Sequence, residues 1–193
     1  MCGTYFIYDE VMAEAERIFD EITSAMPRVA AGDIRPSMTA PAVTGTEQVP
    51  EWALLTWGFT GFDKSRLIIN ARAESIREKP MFRESIQKRR CVLPAAGFYE
   101  WDSRKQKAVF TRPGEDIIFL GGIWRPEKDG ARFVIITREA NESMLPVHDR
   151  MPLILDPDEA KAWLKRDDLT DDLLKMPMPE LSFTREYEQL GLL

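Results

Sequence analysis

Three apolar, β-branched stretches follow one another late in the chain. They are "KAVFTR" at 107–112, "DIIFLGGIW" at 116–124 and "ARFVIITR" at 131–138. The breaks between them hold "PGE" and "PEKDG", which are turn formers. Strand, short turn and strand at such intervals predict an antiparallel meander rather than the crossover helices of a parallel sheet. No other feature narrows the fold as much, because strands this close in sequence must pair with neighbours or with other strands of the same sheet.

The remaining segments are consistent with that frame. Residues 3–8, "GTYFIY", read as a short strand, and "EWALLTWGF", "RLIIN" and "MPLIL" as further strands. "CVLPAAGFYEW" at 91–101 reads as a buried strand containing a turn. From Asp9, Val11, Met12, Ala15, Ile18, Phe19 and Ile22 fall on one helical face. "AESIREKPMFRESIQKRR" predicts a helix split by Pro80, with "QKRR" at 87–90 as its solvated end. "DPDEAKAWL" predicts a well-capped helix, with Asp156 as cap, Pro157 in the first turn and Glu159 as the acid of a capping box. Residues 26–50 carry Pro27, Pro36, Pro41 and Pro50 and predict a long loop. The class expected is α+β, a mostly antiparallel sheet closed into a barrel-like shape with flanking helices. The 193 residues, with no repeat, linker or low-complexity tract, predict one domain over 1–193.

Bulk properties remove some functions. No apolar run approaches the roughly 20 residues that cross a bilayer, and the start has no signal-peptide pattern. The expectation is an intracellular protein with no membrane partner. Two cysteines without a CxxC pair, and one histidine, exclude the usual structural zinc sites and call for no metal or cofactor. A net charge of −6 argues against holding duplex DNA by charge alone, but not against a local basic groove.

Cys2 is the first candidate for chemistry. If Met1 is removed, its α-amine, with a pKa of about 7.7–8.0, stands beside a thiol near 8.5. Such a 1,2-aminothiol takes an aldehyde first as a Schiff base and then as a five-membered thiazolidine. An internal cysteine cannot, because its nitrogen is an amide. The other reading is a small residue at the start of a strand. His148, before a strand in "LPVHDRMPLIL", is structural or the group suited to proton transfer near neutrality. Glu100, between Tyr99 and Trp101, is a paired structural carboxylate or an acid–base group. Asn70 is a turn former or orients a reacting group. Trp57 and Trp101 are core or stack on unpaired bases, and Arg72 and Arg150 are candidates for gripping phosphates.

Taken together, several blocks resemble the SOS-response-associated peptidase (SRAP) family. They are "MCG" at the start, "WG" at 57–58, "INARAE" at 69–74, the run from Phe82 through "RRC" to "GFYEW", and the run from Thr137 through "HDRMP" to Leu155. The resemblance implies a compact, mainly β fold with a basic groove for single-stranded DNA containing abasic sites. It implies that Cys2 links covalently to the ring-opened aldehyde of an abasic deoxyribose and shields the site from strand cleavage. Asn70 would lie by the linkage, Glu100 would handle protons, and His148 would assist ring opening and crosslink reversal. Arg72 and Arg150 would contact phosphates. Trp57, Trp101, Thr137 and the loop around Pro36 would face the flanking nucleotides. The location expected is the cytoplasm, at the nucleoid when bound to damaged DNA, and a caretaker with one site can work as a monomer. Thr4 stands where many members carry arginine, so one phosphate contact is either missing or supplied elsewhere, with Arg35 and Lys79 as candidates. Removal of Met1 is self-catalysed or left to an aminopeptidase. Two rivals remain, an N-terminal-nucleophile thiol amidohydrolase or peptidase and a non-enzymatic single-strand-binding module.

Overall fold

The structure is a computed structural model that describes residues 2–46, 49–61, 63 and 66–185. The alternating and apolar runs form β1 (Thr4–Ile7), β2 (Gly32–Ile34), β3 (Thr39–Thr46), β4 (Val49–Trp57), β5 (Phe59–Thr60), β6 (Leu67–Ile68) and β7 (Asn70–Arg72) in the first half. They continue as β8 (Arg90–Ala95), β9 (Gly97–Trp101), β10 (Lys107–Thr111), β11 (Ile118–Glu127), β12 (Gly130–Glu139), β13 (Arg150–Pro152), β14 (Ile154–Leu155) and β15 (Ser182–Arg185). The helices are α1 (Asp9–Ile18), α2 (Pro80–Lys88), α3 (Pro157–Lys165) and α4 (Thr170–Lys175). Each has a local cause. Asp9 and Glu10 sit in the first turn of α1, where the helix dipole favours negative charge, and Val11, Met12 and Ala15 are buried. Pro80 opens α2 at a position where its missing N–H costs nothing.

The strands form two principal sheets. The smaller runs β15-β10-β9-β1-β2 and is antiparallel throughout. The larger runs β13-β12-β4-β3-β8-β11-β14, with β7 beside β12. In it β12 also pairs with β11, so β12, β4, β3, β8 and β11 make a partial ring rather than the full barrel expected. The seam β12·β4 is parallel and short, Arg132 with Thr56 and Phe133 with Trp57. β12·β7 is the other parallel pair. The α+β class and the antiparallel majority match the sequence; closure is incomplete.

Two expectations are corrected. The predicted loop at 26–50 contains β2, β3 and the start of β4. Pro41 is tolerated in β3 because it lies outside the Val43–Gly45 stretch that pairs with β8. The predicted meander is split. β11 and β12 do form a hairpin, but β10 pairs with β9 and β15 in the other sheet. The crossing point is Ala96, between β8 in the larger sheet and β9 in the smaller one. One apolar cluster fills the space between the sheets and includes Cys2, Tyr5, Trp57, Phe98 and Phe133.

Candidate active site around Cys2

β1 begins two residues after Cys2 and lies between β2 and β9. That position buries the start of the chain: Cys2 is 1% exposed. Thr4 is buried too, and its hydroxyl donates to the Gly3 carbonyl at 2.7 Å. The short Thr4 side chain fits this buried place. Burial pushes the Cys2 thiol well above its ordinary pKa, and the nearby charge of Glu100 pushes it further the same way. The sulfur's hydrogen-bond acceptor is the Thr4 carbonyl, at 4.0 Å.

Asn70 and Glu100 meet Cys2 from opposite sheets. Asn70 opens β7, and its side-chain amide donates to the Cys2 carbonyl at 3.1 Å. Its Oδ1 is enclosed and has no hydrogen-bond partner among the described residues. Glu100 is 3% exposed on β9, paired across from Ala108, and accepts the Trp101 N–H at 3.2 Å. An amide from the larger sheet therefore holds the first cysteine, and a buried carboxylate lies on β9, the strand paired with β1 in the smaller one.

A cavity of about 610 Å³ opens beside Asn70. Leu67, Ile68, Met81 and Phe82 give it apolar walls, and Arg72 and Lys79 bring two cations. Apolar walls beside two cations can take a ligand that joins an apolar face to an anion. Arg35, the other candidate to replace a cation at position 4, is paired with Asp33 at 3.1 Å.

His148 sits in the turn ahead of β13. Its Nδ1 accepts the Arg150 N–H at 2.9 Å and also lies 2.9 Å from Asp149 Oδ1. One nitrogen cannot accept in the first contact and donate in the second. Asp149 is largely exposed, whereas the Arg150 N–H is fixed by the backbone, so the first contact governs. The proton then belongs on Nε2, the atom able to hand it on. Leu145, Pro146 and Val147, just before His148, share a cavity of about 430 Å³ with Asp102, Ser103 and Arg104, which follow Glu100 and Trp101. The His148 and Glu100 segments thus lie side by side.

The DNA-facing candidates divide. Arg72 is exposed and lines the cleft. Trp101 is 41% exposed and keeps a ring open to solvent. Arg150 is engaged instead: both terminal nitrogens bind the Glu74 carboxylate, at 2.7 and 2.9 Å, and one also reaches the Thr137 carbonyl at 2.8 Å. Thr137 is fully buried beside Arg72 in the β12·β7 register. Trp57 does not provide a stacking surface, since it is 0% exposed. Its ring stacks on Phe133 at 5.8 Å and meets Tyr5 at 5.4 Å, and its N–H donates to the Ile69 carbonyl at 2.9 Å. Pro36 lies in a turn held to Trp57 by backbone bonds from Ser37 and to Met38. Ser37 adopts φ 72°, a left-handed conformation that costs a serine free energy, and the turn holds it exposed. Tyr5 was missed among the candidates, although its polar tip in a wholly buried strand could have marked it. "QKRR" is corrected: Arg90 is buried, donating to the Trp163 carbonyl and to Asp167, both at 2.5 Å.

Comparison with known proteins bears on the fold and the family. Solved structures from Bordetella bronchiseptica superpose with a TM-score of 0.78. One is 22% identical and covers 97% of this chain and 100% of its own. Another, described as a phage-related protein, is 23% identical and covers 98% and 96%. The abasic site processing protein YoaM of Bacillus subtilis is 31% identical over 192 residues, 91% of this chain and 84% of YoaM. The abasic site processing protein HMCES of Xenopus tropicalis is 31% identical over 160 residues, 66% of this chain, and this chain spans about half of it, 48%. Residues 1–187 match the family described as SOS response associated peptidase (SRAP). The chain belongs to that family.

Proposed function

We propose that this protein processes abasic sites in single-stranded DNA by linking them covalently to Cys2. The observation that carries this reading is the hydrogen bond from the Asn70 amide to the Cys2 carbonyl, at 3.1 Å, with Glu100 buried on β9 beside β1. Named relatives that process abasic sites support it.

The chemistry follows from the groups present. Removal of Met1 frees the Cys2 amine. Asn70 holds the Cys2 carbonyl, which fixes the direction of that amine. The amine adds to the C1′ aldehyde, water leaves, and an iminium forms. His148, with its proton on Nε2, assists opening of the sugar ring. The Cys2 thiol is protonated near neutrality, because burial has pushed its pKa up. It must give up that proton as the sulfur adds to the iminium carbon, and Glu100 is the carboxylate placed to take it. The C=N electron pair returns to nitrogen and a neutral thiazolidine results. That ring lacks the electron sink through which an imine promotes β-elimination, so the strand stays intact. The cleft with Arg72 and Lys79 takes the adjoining nucleotide and phosphate, and Trp101 offers an open ring face.

The test is a denaturing gel with an oligonucleotide carrying one abasic site. Wild type, processed to Cys2, is expected to give a durable shifted band. Cys2→Ala keeps an amine and is expected to give strand cleavage without a durable band. An equally durable band from Cys2→Ala would sink the thiazolidine reading. Turnover of a small amide with no DNA adduct would favour the amidohydrolase, and salt-sensitive binding with no adduct the simple binding module.

A further inference from the structure

The hydroxyl of Tyr5 does nothing for the fold. Tyr5 is fully buried in β1, and its oxygen is enclosed without a hydrogen-bond partner among the described residues. An unsatisfied buried hydroxyl is destabilising, and phenylalanine would fill the same space without that penalty. The side chain points into the cluster that contains Cys2, opposite Phe98 across β9 and Ile34 across β2. Its ring rests on Trp57 at 5.4 Å. Trp57 fixes the Ile69 carbonyl, and the next residue, Asn70, holds Cys2. Burial is the main influence raising the Tyr5 pKa; charge on Cys2 and then on Cys91 adds to it. Tyr5 and Cys2 belong to one buried cluster at the start of the chain, and the hydroxyl is an enclosed donor there with no partner among the described residues.

We propose that Tyr5 is a positioning residue for the thiol step, its hydroxyl donating a hydrogen bond to the Cys2 sulfur as that sulfur becomes negative. The inference rests on the function proposed above. At rest the sulfur faces the Thr4 carbonyl, an acceptor that suits S–H and repels a thiolate. When the thiol proton passes to Glu100, the sulfur needs a donor, and the phenol O–H is a buried one without a partner. The sulfur lone pair then forms the C–S bond, the C=N pair moves to nitrogen, and tyrosine keeps its proton throughout. Cys91 competes weakly for the same hydroxyl, because burial holds its thiol protonated and an S–H sulfur is a poor acceptor.

Tyr5→Phe in the full-length, Met1-processed protein tests this against single-stranded abasic DNA. Borohydride trapping counts the Schiff base, and the durable band without borohydride counts the thiazolidine. The expected result is wild-type trapping, durable linkage about tenfold slower near neutral pH, and a pH–rate profile moved up by about one unit. The melting temperature is expected to hold or rise. Unchanged durable linkage with an unchanged profile overturns the proposal, as does an equal loss of both adducts. Should Tyr5→Phe fold poorly, 3-fluorotyrosine at position 5 decides: its more acidic hydroxyl is expected to move the profile down, and no movement overturns the proposal. A wild type that gives neither adduct removes the function itself, an outcome distinct from a normal wild type with a normal Tyr5→Phe.

Discussion

At the scale of single residues, the two arginines expected to grip phosphate differ in what surrounds them. Arg150 is mostly buried, clamps Glu74 with two bonds and reaches the Thr137 carbonyl, while its own N–H orients His148. The Arg150 guanidinium is the main cause holding the Glu74 carboxyl below its ordinary range. Arg150→Ala is therefore expected to cost about 2 kcal/mol in urea unfolding, since it strips partners from a half-buried network. Arg72 is exposed at the cleft. Arg72→Ala is expected to change stability by no more than about 0.5 kcal/mol. It should weaken binding to single strands and lower the magnitude of the salt slope by about 0.7. If Arg150→Ala were as stable as wild type and lost only salt-dependent affinity, Arg150 would be a phosphate contact after all. Sequence could single out Cys2, Asn70 and Glu100 as candidates because their residue types and motifs suit the chemistry proposed. It could not separate Arg72 from Arg150, or mark Tyr5, because those distinctions lie in partners supplied by distant strands.

At the scale of elements, local signals held where the cause was local. The capping box of α3 is complete: Asp156 accepts the Glu159 N–H at 2.9 Å, and Glu159 accepts the Asp156 N–H at 2.8 Å. Asp156→Ala is expected to lower stability by about 1 kcal/mol, read as a shift in urea midpoint at constant slope. A shift below about 0.3 kcal/mol would mean that the packing of Trp163 and Leu164 holds α3 without its cap. The failures have non-local causes. β2 and β3 lie in a proline-rich stretch because β1, β4 and β8 supply their partners from elsewhere. β10 leaves the meander because β9, after crossing at Ala96, has an open edge in the other sheet. Gly97 permits that crossing: a Cβ there would come 2.3 Å from the Phe110 carbonyl oxygen.

At the scale of the whole molecule, the site depends on two sheets being held in register, since Asn70 comes from one and Glu100 from the other. The parallel seam β12·β4 in the larger sheet has two paired positions, and Trp57 occupies one of them. Glu127 reinforces that seam from the end of β11. It accepts the Thr60 N–H at 3.0 Å and the Thr60 hydroxyl at 2.5 Å, and it pairs with Arg125 and Arg132. Arg132 in turn donates to the Gly58 carbonyl, and Gly58, at φ 108°, donates to Phe133. Burial alone would raise the Glu127 carboxyl, but the Thr60 and Arg125 bonds outweigh it and its pKa lies below the ordinary value. A depressed carboxylate stabilises the fold above its unfolded pKa of about 4.3, and that stabilisation fades as pH falls through the lower folded value. Glu127→Gln is therefore expected to be about 2 kcal/mol less stable than wild type at pH 7. The gap should narrow as pH drops below about 4 and wild type protonates. Because Trp57 carries Tyr5 and Ile69, the same change should also slow durable linkage to abasic DNA at pH 7. Urea unfolding from pH 3 to 7, beside the denaturing gel, reads both effects. A gap that stays constant with pH would show that Glu127 acts through packing alone, and normal linkage in a destabilised Glu127→Gln would uncouple the seam from the site.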